Sequence, residues 1–142
     1  MLIGVPKEIK NHEYRVGMAP ASVREAVAHG HQVMVQAHAG EGISASDDEY
    51  RAVGAQIMDE PQEIFAGAEM IVKLKEPQAN ERAMLRPGQI LFTYLHLAPD
   101  PEQTRDLVDS GATCIAYETV TSPRGGLPLL APMSKVAGRM AI

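Results

Sequence analysis

Gly88-Gln-Ile-Leu-Phe-Thr-Tyr-Leu-His-Leu-Ala-Pro-Asp100 is the stretch that decides the architecture. Its segment Gln89–Leu95 is apolar at nearly every position, too short for a typical helix, and bounded by Gly88 and Pro99. A strand without polar alternation is covered on both faces, which predicts a parallel sheet. Five further short runs also read as strands: Leu2–Val5, Gln32–Gln36, Ala55–Met58, Met70–Leu74 and Thr113–Tyr117.

Working outward, amphipathic stretches fill the gaps between these runs. Pro20 opens a helix at a favoured first-turn position, with Val23, Ala26 and Val27 as its apolar stripe. Ser46-Asp-Asp-Glu49 has the pattern of a capping box for a short helix through Val53. Pro61–Ala66 predicts another, Asn80 is positioned to cap a segment holding Met84 and Leu85, and Asp100–Ser110 carries Leu107 and Val108 on its apolar side. Gly30, Gly54, Gly67 and Gly111 each follow a helix, where a left-handed cap needs no Cβ, whereas Gly88 follows Arg86-Pro87 as a turn. Strand and helix in alternation imply right-handed β-α-β crossovers: an α/β fold, a parallel sheet with flanking helices. The last segment starts a helix at Pro132 and carries Val136, Met140 and Ala141 as a stripe, then stops at Ile142 without a cap. Two readings are open, a frayed terminal helix or the first part of a longer protein.

The 142 residues predict about one domain, and a domain of that size buries roughly 68–70% of its unfolded surface. Thirteen Lys and Arg against 18 Asp and Glu give net charge −5 with no basic run, which argues against a nucleic-acid binder. The single cysteine, Cys114, excludes an intramolecular disulfide, and its place in Ala112–Tyr117 predicts a buried thiol in a reducing compartment. No apolar run reaches the roughly 18 residues of a membrane span, and the start has no secretory pattern. A cytoplasmic protein is the expectation.

In an open parallel sheet, ligands bind beyond the carboxyl ends of the strands. Polar residues stand at three of these strand mouths. Arg15 lies in the long loop after the first strand, and its planar fork suits a carboxylate; a surface pair with Glu13 or Glu8 is the plainer alternative. Lys73 and Lys75 end the fourth run, on one face by period-two alternation, and a lysine leaving a buried strand needs a partner or a ligand. Solvated lysines on an edge strand are the alternative. His96 ends the fifth run, and an imidazole with pKa near 6.5 suits proton exchange at neutral pH; a core histidine with satisfied hydrogen bonds is the alternative. Together they make a site for a small carboxylate with a reacting carbonyl or amine. His12, His29, His31 and His38 read as loop or cap residues, and no histidine pair has zinc-motif spacing, so no metal is predicted. Gly40-Glu-Gly42-Ile-Ser-Ala45 imitates a dinucleotide fingerprint, but three residues separate it from Gln36 and the helix after it is short. We reject it as a nucleotide site.

At these residues the sequence resembles the N-terminal, substrate-side portion of the alanine dehydrogenase family. The stretches that carry the resemblance are GVPKEIKNHEYRVG (4–17), AGAEMIVKLKEP (66–77), GQILFTYLHLAPD (88–100), IAYETV (115–120) and LPLLAPMSKVAGRMAI (127–142). The related transhydrogenase alpha subunit shares the ExRV and strand patterns but not Lys75-Glu76-Pro77 or Tyr94-Leu-His96. The resemblance implies a Rossmann-like (flavodoxin-like) parallel sheet, the substrate-side domain of a two-domain dehydrogenase, over residues 1–131. Residues 132–142 would begin the connecting helix to an NAD-binding domain. It implies NAD as cofactor and reversible oxidative deamination of L-alanine to pyruvate and ammonia. Arg15 and Lys75 would bind the substrate, His96 would be the general acid/base, and Ser134 would touch the cofactor. The family's catalytic aspartate and glycine fingerprint belong to the later domain, and no residue here stands for them. A homo-oligomer, commonly a hexamer, is implied as well. Two alternatives are a non-catalytic carboxylate-binding or assembly module and the N-terminal part of a transhydrogenase alpha subunit.

Overall fold

A computed structural model describes residues 1–140. Its elements in order are β1 (Leu2–Val5), α1 (Pro20–Ala28), β2 (Gln32–Gln36), α2 (Asp47–Ala52), β3 (Gln56–Met58), α3 (Pro61–Gly67), β4 (Met70–Val72), α4 (Ala79–Arg82), β5 (Ile90–Thr93), α5 (Pro101–Asp109), β6 (Thr113–Ala116) and α6 (Ala131–Met140). Single 3-10 turns occupy Glu41–Ile43 and Tyr117–Thr119. The expected apolar stripe of the last helix includes Ala141, which with Ile142 lies outside the described residues.

The strands pair as one six-stranded sheet in the order β3-β2-β1-β4-β5-β6, every pairing parallel. Period-two alternation sends Ile3, Val5, Val33, Val35 and Val72 into one core, where Val23 of α1 and Tyr50 of α2 meet them. Met34, Ile71 and Leu91 point the other way, against Ile64 and Phe65 of α3 and Leu107 of α5. Each fully buried side chain of this kind contributes about 1.5–3 kcal/mol. The strand order reverses between β1 and β4, the topological switch point at which open α/β sheets form a crevice.

Local chemistry sets the helix starts. Ser46 and Glu49 make the reciprocal capping box before α2. Asp100 accepts the Gln103 amide at 2.9 Å before α5. Other details differ from the sequence reading. Gln78, not Asn80, precedes α4, because the Glu81 carboxylate reaches back to the Gln78 amide at 2.8 Å; Met84 and Leu85 follow that helix. Val108 is 74% exposed, and Gln103 takes the buried position on α5 because its amide has a carbonyl partner. Gly30, Gly54 and Gly111 adopt positive φ after their helices and Gly88 in its turn, but Gly67 ends α3 without it. β6 is an edge strand, with Thr113 and Ile115 exposed and Cys114 only half-buried.

Candidate active site

β1, β4 and β5 are adjacent, so the loops that follow them meet at one edge of the sheet. A cavity of about 260 Å³ opens there, lined by Arg15, Lys75, Tyr94, His96, Leu130, Met133, Ser134 and Ala137. Arg15, Lys75, His96 and Ser134, the residues named by the resemblance, therefore border one space. Sequence reasoning missed Tyr94 and Met133. Tyr94 stood inside the decisive stretch, and its phenol at a strand mouth was the available signal.

Arg15 is held by Glu13. The carboxylate accepts Nε–H at 2.7 Å, Nη2–H at 2.5 Å and the Arg15 backbone N–H at 2.9 Å. The guanidinium beside Glu13 holds that carboxyl down at about 2, so the pair is charged at any pH near neutrality. A guanidinium has five N–H donors, of which Glu13 takes two. Nη1–H donates to Met133 Sδ at 3.4 Å, a weak acceptor, which leaves two N–H donors without a protein partner. The surface-pair alternative and the site alternative thus describe the same residue: the pair aims the unused donors.

The two lysines part company. The β4 ladder ends at Val72, so strand alternation no longer governs Lys75. Lys73 is fully buried and donates to Glu8 at 3.1 Å and Glu81 at 2.7 Å, an ion cluster and not a ligand site. Lys75 is half-buried, lines the cavity, and has no ion-pair partner among the described residues. β4 is a central strand, which removes the solvated-edge alternative.

His96 is exposed at the cavity rim, not buried in the core. Its φ of 47° is left-handed, and its ring lies 6.2 Å from that of Tyr94 at 19°. Tyr94 is buried, and its hydroxyl donates to the Leu129 carbonyl at 2.5 Å. That bond ties the segment before α6 to the end of β5, and Leu130, Met133 and Ser134 line the cavity wall. The Ser134 hydroxyl donates to the Leu130 carbonyl at 3.3 Å. Burial pushes the Tyr94 phenol above its ordinary value, and its one hydroxyl proton is held by Leu129.

The glycine pattern at 40–45 is a packing feature. The Ile43 and Ala45 amides both donate to the Gly40 carbonyl, at 3.0 Å each. Gly42 lies so close to the Tyr14 backbone that no Cβ fits between them. Those amides close a turn and cradle no phosphate.

A family model described as "Alanine dehydrogenase/PNT, N-terminal domain" matches residues 4–137. The chain belongs to that family. The alanine dehydrogenase of Halomonas elongata is 61% identical over 142 residues, all of this chain and 38% of the relative. Among solved structures, an L-alanine dehydrogenase superposes with TM-score 0.94 at 48% identity, over 100% of this chain and 39% of that one. A transhydrogenase from Sinorhizobium meliloti follows with TM-score 0.78 at 27% identity, over 83% of this chain and 35% of that one. This alanine dehydrogenase/PNT domain therefore corresponds to the N-terminal portion of the longer alanine dehydrogenases, spanning about two-fifths of their length. The transhydrogenase is a more distant structural relative.

Proposed function

We propose that this chain is the substrate-binding part of an NAD-dependent L-alanine dehydrogenase. The observation that carries the reading is the convergence of Arg15, Lys75 and His96 on one small cavity beside the switch point. The space of about 260 Å³ suits a three-carbon acid and is too small for a dinucleotide. The unused Arg15 donors take the substrate carboxylate as a charge-assisted pair. The Lys75 ammonium faces the 2-position and stabilises a carbonyl oxygen there. The His96 imidazole accepts a proton from the ammonium of L-alanine and passes it to solvent; once the amine carbon is oxidised to an iminium, the imidazole takes a proton from the water that adds there and delivers it to the leaving nitrogen. The net change is L-alanine plus water and oxidised cofactor to pyruvate, ammonium, reduced cofactor and a proton. When bound, a nicotinamide supplies the hydride acceptor, and Ser134 at the cavity wall is the residue of this chain offered to it. A homo-oligomer in a cytoplasmic setting accompanies this reading by family resemblance.

Pyruvate titration of the 142-residue protein by calorimetry tests the site. Binding is expected, and Arg15→Ala and Lys75→Ala are each expected to weaken it by about tenfold or more, the loss of a charge-assisted contact. Unchanged affinity in both variants overturns the assignment. The higher identity to alanine dehydrogenases than to the transhydrogenase favours this reading over the transhydrogenase one.

A further inference from the structure

Two carboxylates outside the cavity share an unusual bonding pattern. Glu8, in the loop after β1, is 7% exposed. Its Oε1 accepts the backbone N–H of Leu74 at 2.7 Å and of Lys75 at 3.4 Å. Its Oε2 accepts from the buried Lys73 ammonium, which Glu81 holds from the other side. Glu118 follows β6, and its Oε1 accepts the N–H of Leu95 at 3.1 Å and of His96 at 2.7 Å. The Leu95 carbonyl accepts from the buried Gln103 amide at 2.6 Å.

The parallel follows from topology. Beyond the end of a strand, amide N–H groups lose their ladder partners and need another acceptor. At β4 and at β5 the acceptor is one carboxylate oxygen brought in from the adjacent strand: β1 beside β4, and β6 beside β5. In both places the two amides are those of a cavity-lining residue and its predecessor. Carboxylate acceptors make short, strong bonds to N–H donors. The His96 backbone also needs such support. Its φ of 47° brings Cβ toward a carbonyl oxygen, and that conformation persists in a non-glycine residue only when the surroundings impose it. Neither carboxylate lines the cavity itself.

We propose that Glu8 and Glu118 are positioning residues, which fix the backbone turns from which Lys75 and His96 project onto a shared substrate. The proposal rests on the reading of the cavity as a binding site for a 2-oxo or 2-amino acid. Burial opposes ionisation of Glu118, yet the amide donors outweigh it and hold the carboxyl below its ordinary range. The anchor is therefore an anion at neutral pH.

Amide hydrogen exchange and pyruvate calorimetry on the same variants test this. In Glu118→Ala, exchange at Leu95 and His96 is expected to accelerate while Leu74 and Lys75 keep their rates, and the pyruvate Kd is expected to rise about tenfold. Glu118→Gln keeps a carbonyl oxygen in the Oε1 position and is expected to restore affinity to within about threefold. For the second anchor Glu8→Ala is used, because Lys73 keeps Glu81 at 2.7 Å as its counterion. It is expected to accelerate only Leu74 and Lys75 and to weaken pyruvate to a similar degree. Wild-type affinity in Glu118→Ala and in Glu8→Ala overturns the proposal, as does a Glu118→Gln variant as weak as Glu118→Ala. If the unaltered protein binds no pyruvate, the functional reading falls. Exchange at Leu95 and His96 that Glu118→Ala leaves unchanged then overturns the anchor independently of any ligand.

Discussion

Lys73 and Lys75 are two residues apart in Met70-Ile-Val-Lys-Leu-Lys-Glu-Pro77, and they do opposite work. Lys73 neutralises part of the charge of two buried carboxylates, whereas Lys75 stands half-exposed over a cavity. Removing a buried counterion leaves an uncompensated charge. Lys73→Ala is therefore expected to destabilise the fold by about 3–5 kcal/mol in denaturant unfolding. Lys75→Ala is expected to stay within about 0.5 kcal/mol. Equal losses would contradict the division. Sequence could flag both lysines, because a cation leaving an apolar strand needs a reason. The family resemblance chose Lys75; the physical reason that Lys73 is withheld lies in Glu8 and Glu81, 65 and 8 residues away in the chain. The same holds for Glu118, whose bonds to Leu95 and His96 span 22 or more residues and leave no local pattern.

Among elements, the strands were the most legible, since continuous apolar runs admit few other readings at such lengths. Helix starts were legible where a side chain caps its own backbone, as at Ser46 and Asp100. Legibility failed where a tertiary partner changes the outcome: Val108 faces solvent because Gln103 has the Leu95 carbonyl to bond. The packing of β1 on α3 is another such case. A Cβ at Gly4 would stand 2.5 Å from Ile64 Cγ2 and 2.8 Å from Ala68 Cβ, both buried and with no room to retreat. Gly4→Ala is expected to cost about 1–3 kcal/mol by overpacking, read as a lowered Tm. A variant as stable as the parent would show that α3 can shift away from the sheet.

Across the whole molecule, one end of the sheet collects the chemistry and both faces of β1, β2 and β4 supply the core. β6 closes the sheet as a half-covered edge. The cavity has room for a small acid, and the glycine pattern that imitates a dinucleotide site is consumed in turn packing. The 142-residue protein is therefore expected to bind pyruvate yet to show little or no NAD-dependent oxidation of L-alanine. A rate equal to that of a full-length relative, measured as NADH formation, would refute this. Sequence by itself determined the α/β class, the parallel strands and the cation–imidazole set at their ends. These follow from short-range rules: apolar runs, caps, and the scarcity of charge beside buried strands. Only the tertiary structure decided what holds Lys73 away from the cavity, how Glu13 aims Arg15, and which carboxylates hold Lys75 and His96. Those outcomes depend on which loops meet at the switch point, and distance in space there is unrelated to distance along the chain.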